Sequence, residues 1–430
     1  MQNRFIDSRG RPRIVVTGIG VVSPLGNSAA ENWKSLLEGR SGIARITRFD
    51  PSQFPIRIAG EVKDFVAKDY MNAKEARRMS QASQYAVAAA TMAMADAGMP
   101  MPVPNGERTG VLIGTGMGGF ERMDESITIL REKGFSRVGP FAMTSSLPNM
   151  SSHHVSLISG AMGPISTVVA ACATGTQAIG ESMEFIRRGS ADVVISGGAE
   201  GCIHEAAIAG FGAMRALSTN FNDAPEKASR PFDKDRDGFV LSEGAGVLVL
   251  ERMDHAIERG AHIYVELLGH SSSSDAYHVA APDPEAAGAV RAMKWAVEDA
   301  ALSLDNVDYI NAHGTSTTVN DTTESFAIKK LFGERAYQIP VSSSKSMLGH
   351  AMGATGAIEA IFCAYAVHEG IIPPTWNYQT PDPDCDLDYV PNQPRPAALR
   401  AVLSNSFGLG GQNACLIMGR FENSYVNKGE

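Results

Sequence analysis

Short runs rich in Val and Ile, at residues 14–16, 111–114, 167–171, 193–196 and 247–250, mostly end on glycine or another small residue and read as buried strands. Between them lie longer alanine-rich segments, such as residues 81–97 and 177–188, whose apolar positions recur at helical spacing. This alternation, sustained over hundreds of residues, restricts the chain to an α/β architecture. A second series begins near Ala261 with IYVELLGH, YINAHG, IPVSSSK, AVLSNS and ACLIMG, and an alanine-rich helix at residues 356–367 lies among them. The second series echoes the first in pattern without a literal repeat. No low-complexity linker separates the two, so two tightly packed lobes are expected. Clefts between lobes are favoured ligand positions, which places the expected site where the lobes meet.

With 430 residues and 44% hydrophobic content, the chain can fill a large core. A formal net charge of -9 argues against general affinity for nucleic acid or acidic lipid, while leaving room for a local basic patch. Five cysteines, an odd number, suit free thiols in a reducing compartment. No CxxC or CxxH pair supports a structural zinc site. The opening MQNRFIDSRGRPR lacks the apolar core of a signal peptide, and the apolar runs fall short of the ~20 residues that span a bilayer. The expectation is a cytoplasmic protein that neither inserts into membranes nor binds nucleic acid.

Three motifs imitate other chemistries. Gly114 to Gly119 satisfies GxGxxG after a strand, but no ribose-binding acid stands at the end of a next strand about 20 residues on, as a dinucleotide fold requires. Asp233 to Gly238 imitates a calcium loop, yet its twelfth position is Gly244 rather than a bidentate Glu, so a salt-linked turn is the better reading. His153 and His154 are adjacent, and neighbours on a helix point in different directions, so one is expected to pack and one to be solvated.

The stretch VVAACATGTQAIGES runs a buried strand into Cys172 and then into an expected helix at Ala173-Thr174-Gly175. A helix N-terminus favours an anion and lowers a thiol pKa, and the N–H of Cys172 itself could face an oxyanion. From this stretch alone, a nucleophile and an inert buried thiol are equally good readings, and the inert one suits Cys202, Cys363 and Cys415. His313 in NAHGTST and His350 in KSMLGH each stand at a strand exit among small hydroxyl and glycine residues. Each alone reads as a hydrogen-bonded loop histidine. Two such loops and a thiol at a helix start form a coherent acyl-transfer site.

These motifs, together with IVVTG, SRPFDKDRDGFVLSEGAG, SSDAYH, CDLDYVP and NSFG, resemble the β-ketoacyl-acyl carrier protein synthases of the KAS I/II type, KAS II above all, over nearly the whole chain. The resemblance implies a thiolase fold: duplicated βαβαβαββ halves in a five-layered α/β/α/β/α sandwich, residues 1–260 carrying the nucleophilic Cys and residues 261–430 the two His, in a homodimer. It implies that Cys172 takes the acyl chain while His313 and His350 bind the malonyl thioester carbonyl and promote decarboxylation. Lys345 and Glu324 are expected as a charged pair behind the histidines, with Asp321 a neighbouring acid. Phe407 is expected to supply an oxyanion N–H beside that of Cys172, and Leu409 stands at the gate. Met117 matches an acyl-pocket position, Thr315 and Thr317 are placed to bond the pantetheine amides, and His278 falls among the substrate-binding positions. Lys74, Arg77 and Arg78, on one helical stretch, and Arg215 match residues that dock the acidic acyl carrier protein, which arrives acyl- or malonyl-loaded. No cofactor is implied, because the carrier protein brings the phosphopantetheine. No metal is required, although Asn311, Glu359, Ser404 and Asn405 match positions that hold a monovalent cation in some relatives.

The chain departs from the pattern at Leu409, where KAS II enzymes usually carry phenylalanine, at Thr318 in place of a proline, and at Gln412 in place of a threonine. These departures leave acyl length open and keep two alternatives in view: a ketosynthase of a specialised polyketide or polyene pathway, and a non-condensing partner subunit like a chain-length factor. Cys172 argues against the second. Thiolases would want a second catalytic cysteine and KAS III an asparagine for one histidine, so both fit less well.

Overall fold

The computed structural model describes residues 4–422. Ten strands form the main sheet: β1 (Ile14–Val22), β2 (Thr109–Gly114), β3 (Ile165–Ser166), β4 (Val193–Glu200), β5 (Gly244–Arg252), β6 (Val265–Ser274), β7 (Tyr309–Asn311), β8 (Val341–Ser342), β9 (Ala401–Gly408) and β10 (Gln412–Gly419). Their spatial order is β8-β7-β9-β10-β6-β1-β5-β4-β2-β3. Read outward from the centre, the first half runs β1-β5-β4-β2-β3 and the second β6-β10-β9-β7-β8, so each strand n has its counterpart in strand n+5. Directions agree as well: β2 pairs parallel with β3 and β4, β7 with β8 and β9, while β5 and β10 are antiparallel to both neighbours. Within the ten-stranded sheet the halves join where Ile14, Val15 and Val16 pair with Leu267, Glu266 and Val265.

Six helices complete the duplication: α1 (Gln81–Asp96), α2 (Met150–Ser159), α3 (Thr174–Arg187), α4 (Ala287–Asp299), α5 (Thr318–Phe332) and α6 (Met352–Glu369). Each half thus reads βαβαβαββ. Helices α1 and α2 cover the outer face of the first half, α4 and α5 that of the second, and α3 and α6 lie between the two. The result is five layers. Strand β1 is buried along its whole length, which explains its continuous apolar run. The alanine-rich helix α1, capped by the Ser80 side chain on the Ser83 N–H, rests directly on it. Side chains at Gly18 and Gly20 would strike the α1 backbone, with Cβ atoms 2.2 Å from the Ala93 oxygen and 2.0 Å from the Ala89 oxygen. Small residues on both elements therefore set the layer spacing.

One expected strand is absent. Residues 167–171 form no ladder, and only Ile165–Ser166, exposed at the sheet edge, pairs with β2. The apolar run leaves the sheet because the chain must lift Cys172 over the start of α3. Ala171 adopts φ 47 to do so, an uncommon left-handed backbone for a residue with a Cβ. Among the described residues, no helix is long and apolar enough to cross a membrane.

Candidate active site

Two helix starts converge at the C-terminal ends of the parallel strands. Gly175 of α3 sits where a Cβ would fall 2.6 Å from the Ala357 nitrogen of α6, and Gly356 of α6 where one would fall 2.1 Å from Thr176 Oγ1. This contact brings the β3–α3 turn, which carries Cys172, against the β8–α6 turn, which carries His350. His313 enters from the β7–α5 turn. Ligand atoms of Cys172, His313 and His350 all lie within 4.8 Å of one another, and all three residues are buried. They stand in a cavity of about 510 Å³ whose lining also includes Arg215, His278, Thr315, Thr317, Phe407 and Leu409.

Cys172 occupies a 3-10 turn, Ala171–Ala173, that runs straight into α3. Thr174 Oγ1 braces it, accepting from the Ala170 N–H at 2.8 Å and donating to the Ala171 carbonyl at 2.7 Å. Gly408 lies against the turn so closely that a Cβ would meet Cys172 N at 3.1 Å. The hairpin after it brings the backbone N–H of Leu409 to the sulfur. The sequence points to the Phe407 N–H here, but the N–H that reaches the sulfur is that of Leu409. Phe407 instead sets its ring 6.0 Å from that of His313.

The helix start was expected to lower the thiol pKa, and the net effect is the opposite. Burial pushes Cys172 up to about 11, outweighing the Leu409 N–H and the Lys345 ammonium, which act downward. The imidazoles move the other way. Burial holds both His313 and His350 well below the usual histidine range, assisted by the Lys345 charge. At neutral pH the site therefore rests as a thiol facing two neutral imidazoles.

His350 is oriented by Thr355, whose Oγ1 lies 3.0 Å from Nδ1, which leaves Nε2 buried without a partner and free for a ligand. His313 is fixed through its backbone: Glu324 accepts from the N–H groups of His313 and Gly314, both at 2.8 Å, and from Asn405 Nδ2 at 3.1 Å. Burial raises the Glu324 pKa to about 7 against those donors. The expected Lys345–Glu324 pair does not form. Lys345 Nζ bonds Glu359 Oε1 at 2.6 Å, because the short helix carrying Lys345 faces α6, whereas α5 turns Glu324 toward the His313 loop. Asp321 accepts the Phe232 N–H at 2.8 Å and faces Arg236, behind the site.

Of the cation quartet, Asn311 donates to Ser404 Oγ at 3.1 Å and also bonds Glu359, while Asn405 binds Glu324. Glu359 Oε2 has no partner, so the quartet retains one buried, anionic oxygen ligand that fits a monovalent cation.

Thr315 and Thr317 bond each other at 2.9 Å, and His278 Nδ1 accepts from Ala280 and Ala281. Met117 packs in the apolar cluster that contains Cys172, Ile208 and Met352. Lys74 lies in the short helix Ala73–Ala76, Arg77 caps its C-terminal end and Arg78 follows, and none of the three lines the cavity that Arg215 borders. Arg78 instead pairs with Glu75 and lies over the Phe141 ring.

Sequence reasoning missed Glu200, at the end of β4. It accepts from Gly116 N, Met117 N, Gly353 N and Thr115 Oγ1, tying the Met117 loop to the start of α6, and burial raises its pKa to about 7. The same bonds occupy the N–H groups of the GxGxxG turn that a pyrophosphate would need. The other look-alikes resolve as expected, with Asp233 spent on Gln379 and Thr380 N–H groups, His154 buried and His153 exposed.

Comparison with known proteins agrees with this geometry. The family model for the beta-ketoacyl synthase N-terminal domain matches residues 11–256 and that for the C-terminal domain residues 264–379. The chain is 48% identical over 412 residues, 96% of its length and 99% of the relative's, to a 3-oxoacyl-[acyl-carrier-protein] synthase 2 of Synechocystis. A beta-ketoacyl synthase from Burkholderia phymatum superposes with TM-score 0.89 at 36% identity, covering 95% of this chain and 100% of that one. A type II polyketide ketosynthase solved with its acyl-carrier protein gives TM-score 0.88 at 36% identity, covering 96% and 100%.

Proposed function

This chain belongs to the β-ketoacyl synthase family and is a condensing acyltransferase, and we propose that it lengthens an acyl chain held on Cys172 by two carbons taken from malonyl-acyl carrier protein in fatty acid elongation. The observation that carries this reading is the meeting of one thiol and two neutral imidazoles within 4.8 Å in a single cavity.

In the first step Cys172 Sγ attacks the acyl thioester carbonyl while a neutral imidazole takes its proton. The N–H groups of Cys172 and Leu409 face the oxyanion, which collapses to acyl-Cys172 and expels the pantetheine thiol with that proton. In the second step the malonyl thioester oxygen faces His313 and His350. Its carbon–carboxylate bond breaks, CO2 leaves, and the electron pair spreads onto that oxygen, where each aligned donor is worth about 3 to 4 kcal/mol. The enolate carbon then attacks acyl-Cys172. A new C–C bond forms, the C–S bond breaks, and the thiolate takes a proton from solvent as the 3-oxoacyl product departs on the carrier. Two neutral imidazoles suit this sequence, since one must first accept a proton and both must later donate hydrogen bonds.

The remaining roles follow the same reading. Met117 lines the acyl end, Thr315 and Thr317 meet the pantetheine, and His278 stands near the entrance. Arg215 at the cavity mouth, with Lys74, Arg77 and Arg78 elsewhere on the surface, would attract the acidic carrier protein electrostatically. A second copy would cover the bare edge at β3, where Ile165 is 53% and Val169 52% exposed, making a homodimer. A monovalent cation would be held at Glu359 Oε2 beside Lys345. Residues 1–260 and 261–430 would act as the thiol-bearing and histidine-bearing halves, in the reducing cytoplasm that the five free thiols suit.

The test is condensation by the purified protein supplied with acyl- and malonyl-loaded carrier protein. Product two carbons longer, lost in Cys172→Ala, is expected. Full condensation by that variant would overturn the reading.

A further inference from the structure

The mechanism uses Cys172, His313 and His350 as separate groups, yet together they form the only cluster of three His, Cys, Asp or Glu side chains among the described residues with ligand atoms spaced to hold a metal ion. We propose that this trio is also a binding site for a thiophilic divalent cation of the zinc class, which blocks the enzyme reversibly by capping the thiol.

The donor set selects the ion. One sulfur and two imidazole nitrogens suit zinc, cadmium or cobalt(II), whereas magnesium and calcium seek oxygen ligands that the trio lacks. The geometry is close to closing. Bond lengths of about 2.3 Å to sulfur and about 2.0 Å to nitrogen put neighbouring ligand atoms of a tetrahedral site roughly 3.3 to 3.7 Å apart. The observed spacing, within 4.8 Å, needs an inward movement on the order of 1 Å by that measure.

Outer contacts are also in place. Thr355 Oγ1 holds His350 by Nδ1 and leaves Nε2 buried and unpartnered, as in sites where a second hydrogen bond fixes the ligating nitrogen. The Leu409 N–H already points at the sulfur and would stabilise a metal thiolate. The fourth position opens into the cavity, where a water can complete the tetrahedron. Lys345 opposes the ion electrostatically, but Glu359, 2.6 Å from its ammonium, offsets that charge. Binding exchanges one proton for the cation: the thiol S–H is lost to solvent, a sulfur–metal bond forms, and no electron moves. Acylation of Cys172 removes the sulfur ligand, so cation and acyl chain exclude one another.

The experiment uses the full chain, freed of acyl groups, and reads metal binding directly, so its outcome does not depend on the condensing reading. Cobalt(II) is titrated as a spectroscopic stand-in and zinc by calorimetry in two buffers of different ionisation enthalpy. About one equivalent should bind, with a sulfur-to-cobalt charge-transfer band, visible absorption of tetrahedral strength and release of about one proton. Cys172→Ala should abolish the band, His313→Gln should weaken affinity by about 10-fold or more while keeping it, and magnesium should give neither. Zinc should also stop acyl transfer to Cys172 until a chelator is added. A band that survives in Cys172→Ala, with circular dichroism unchanged, would assign the metal to another thiol and overturn the proposal. So would the absence of saturable binding at one equivalent.

Discussion

Cys172 and His350 occupy equivalent places in the duplicated fold, the β3–α3 turn and the β8–α6 turn, and the two turns are built by different means. Each turn carries a residue with a Cβ in left-handed backbone, Ala171 at φ 47 and Met352 at φ 44, and the thiol turn is held further by the Thr174 hydroxyl bonded to its own backbone and by the close approach of Gly408. The histidine turn is held by side chains, with Thr355 on the ring and the buried Lys345–Glu359 pair beneath it. Each helix thus spends an early threonine differently, on the chain in one half and on an imidazole in the other. One half presents an atom at a fixed point, and the other presents a controlled charge environment.

The strongest way to break that contrast is to remove the groups themselves. Cys172→Ala should lower condensation by more than about 10⁴-fold while CO2 release from malonyl-carrier protein persists, because decarboxylation belongs to the other turn. His313→Ala and His350→Ala should each lower CO2 release by about 10² to 10³-fold, and the one whose imidazole takes the Cys172 proton should also slow acyl loading, followed by intact mass, by about 10²-fold while the other leaves it within about tenfold. Equal loss of both steps in every variant would mean that the turns do not divide the work.

Stability should separate the halves next. Lys345→Met strands the Glu359 carboxylate and should cost about 3 to 5 kcal/mol in urea unfolding, with Glu359→Leu added to it recovering part of the loss. The Cys172 turn, residues 170–174, carries no charged side chain of its own.

A pH profile sharpens the contrast further. The histidines, depressed by burial, contribute stability that is present above their ordinary pKa and lost as pH falls below it. Glu324 and Glu200, raised to about 7, do the reverse, contributing below their unfolded values and losing it as pH rises toward 7. Glu200→Gln should therefore flatten the fall in unfolding free energy, followed by urea titration, over that rise by up to about 1.4 kcal/mol per pH unit. The smallest effect is expected from Leu409→Phe, which fills space over the thiol and should shift the preferred acyl length by a few-fold in relative rate without altering CO2 release.

Much of this was legible in the chain. The α/β alternation and the echo between the halves followed from where apolar runs alternate with alanine-rich helices, and the three reacting residues from small-residue turns at strand exits. What escaped was decided by packing across layers. Residues 167–171 have the composition of a strand, but the turn at Cys172 pulls them out of the sheet. Glu324 and Glu359 are both acids near Lys345 in sequence terms, and only the facing of α5 and α6 decides which one pairs. The thiol pKa escaped because a helix start is visible in sequence and the depth of burial that outweighs it is not. Glu200 carries no motif at all, since its four donors come from two segments far from it in the chain, residues 115–117 and Gly353.

The narrow seam between β1 and β6 has a consequence for how the protein is made. In chain order the thiol comes first, the histidines follow much later, and the hairpin bearing Leu409 comes almost last. A truncated or half-folded chain can expose the nucleophile but cannot supply the groups that complete its chemistry. Activity thus reports that both halves have folded and docked, a form of quality control inherent in the order of the chain.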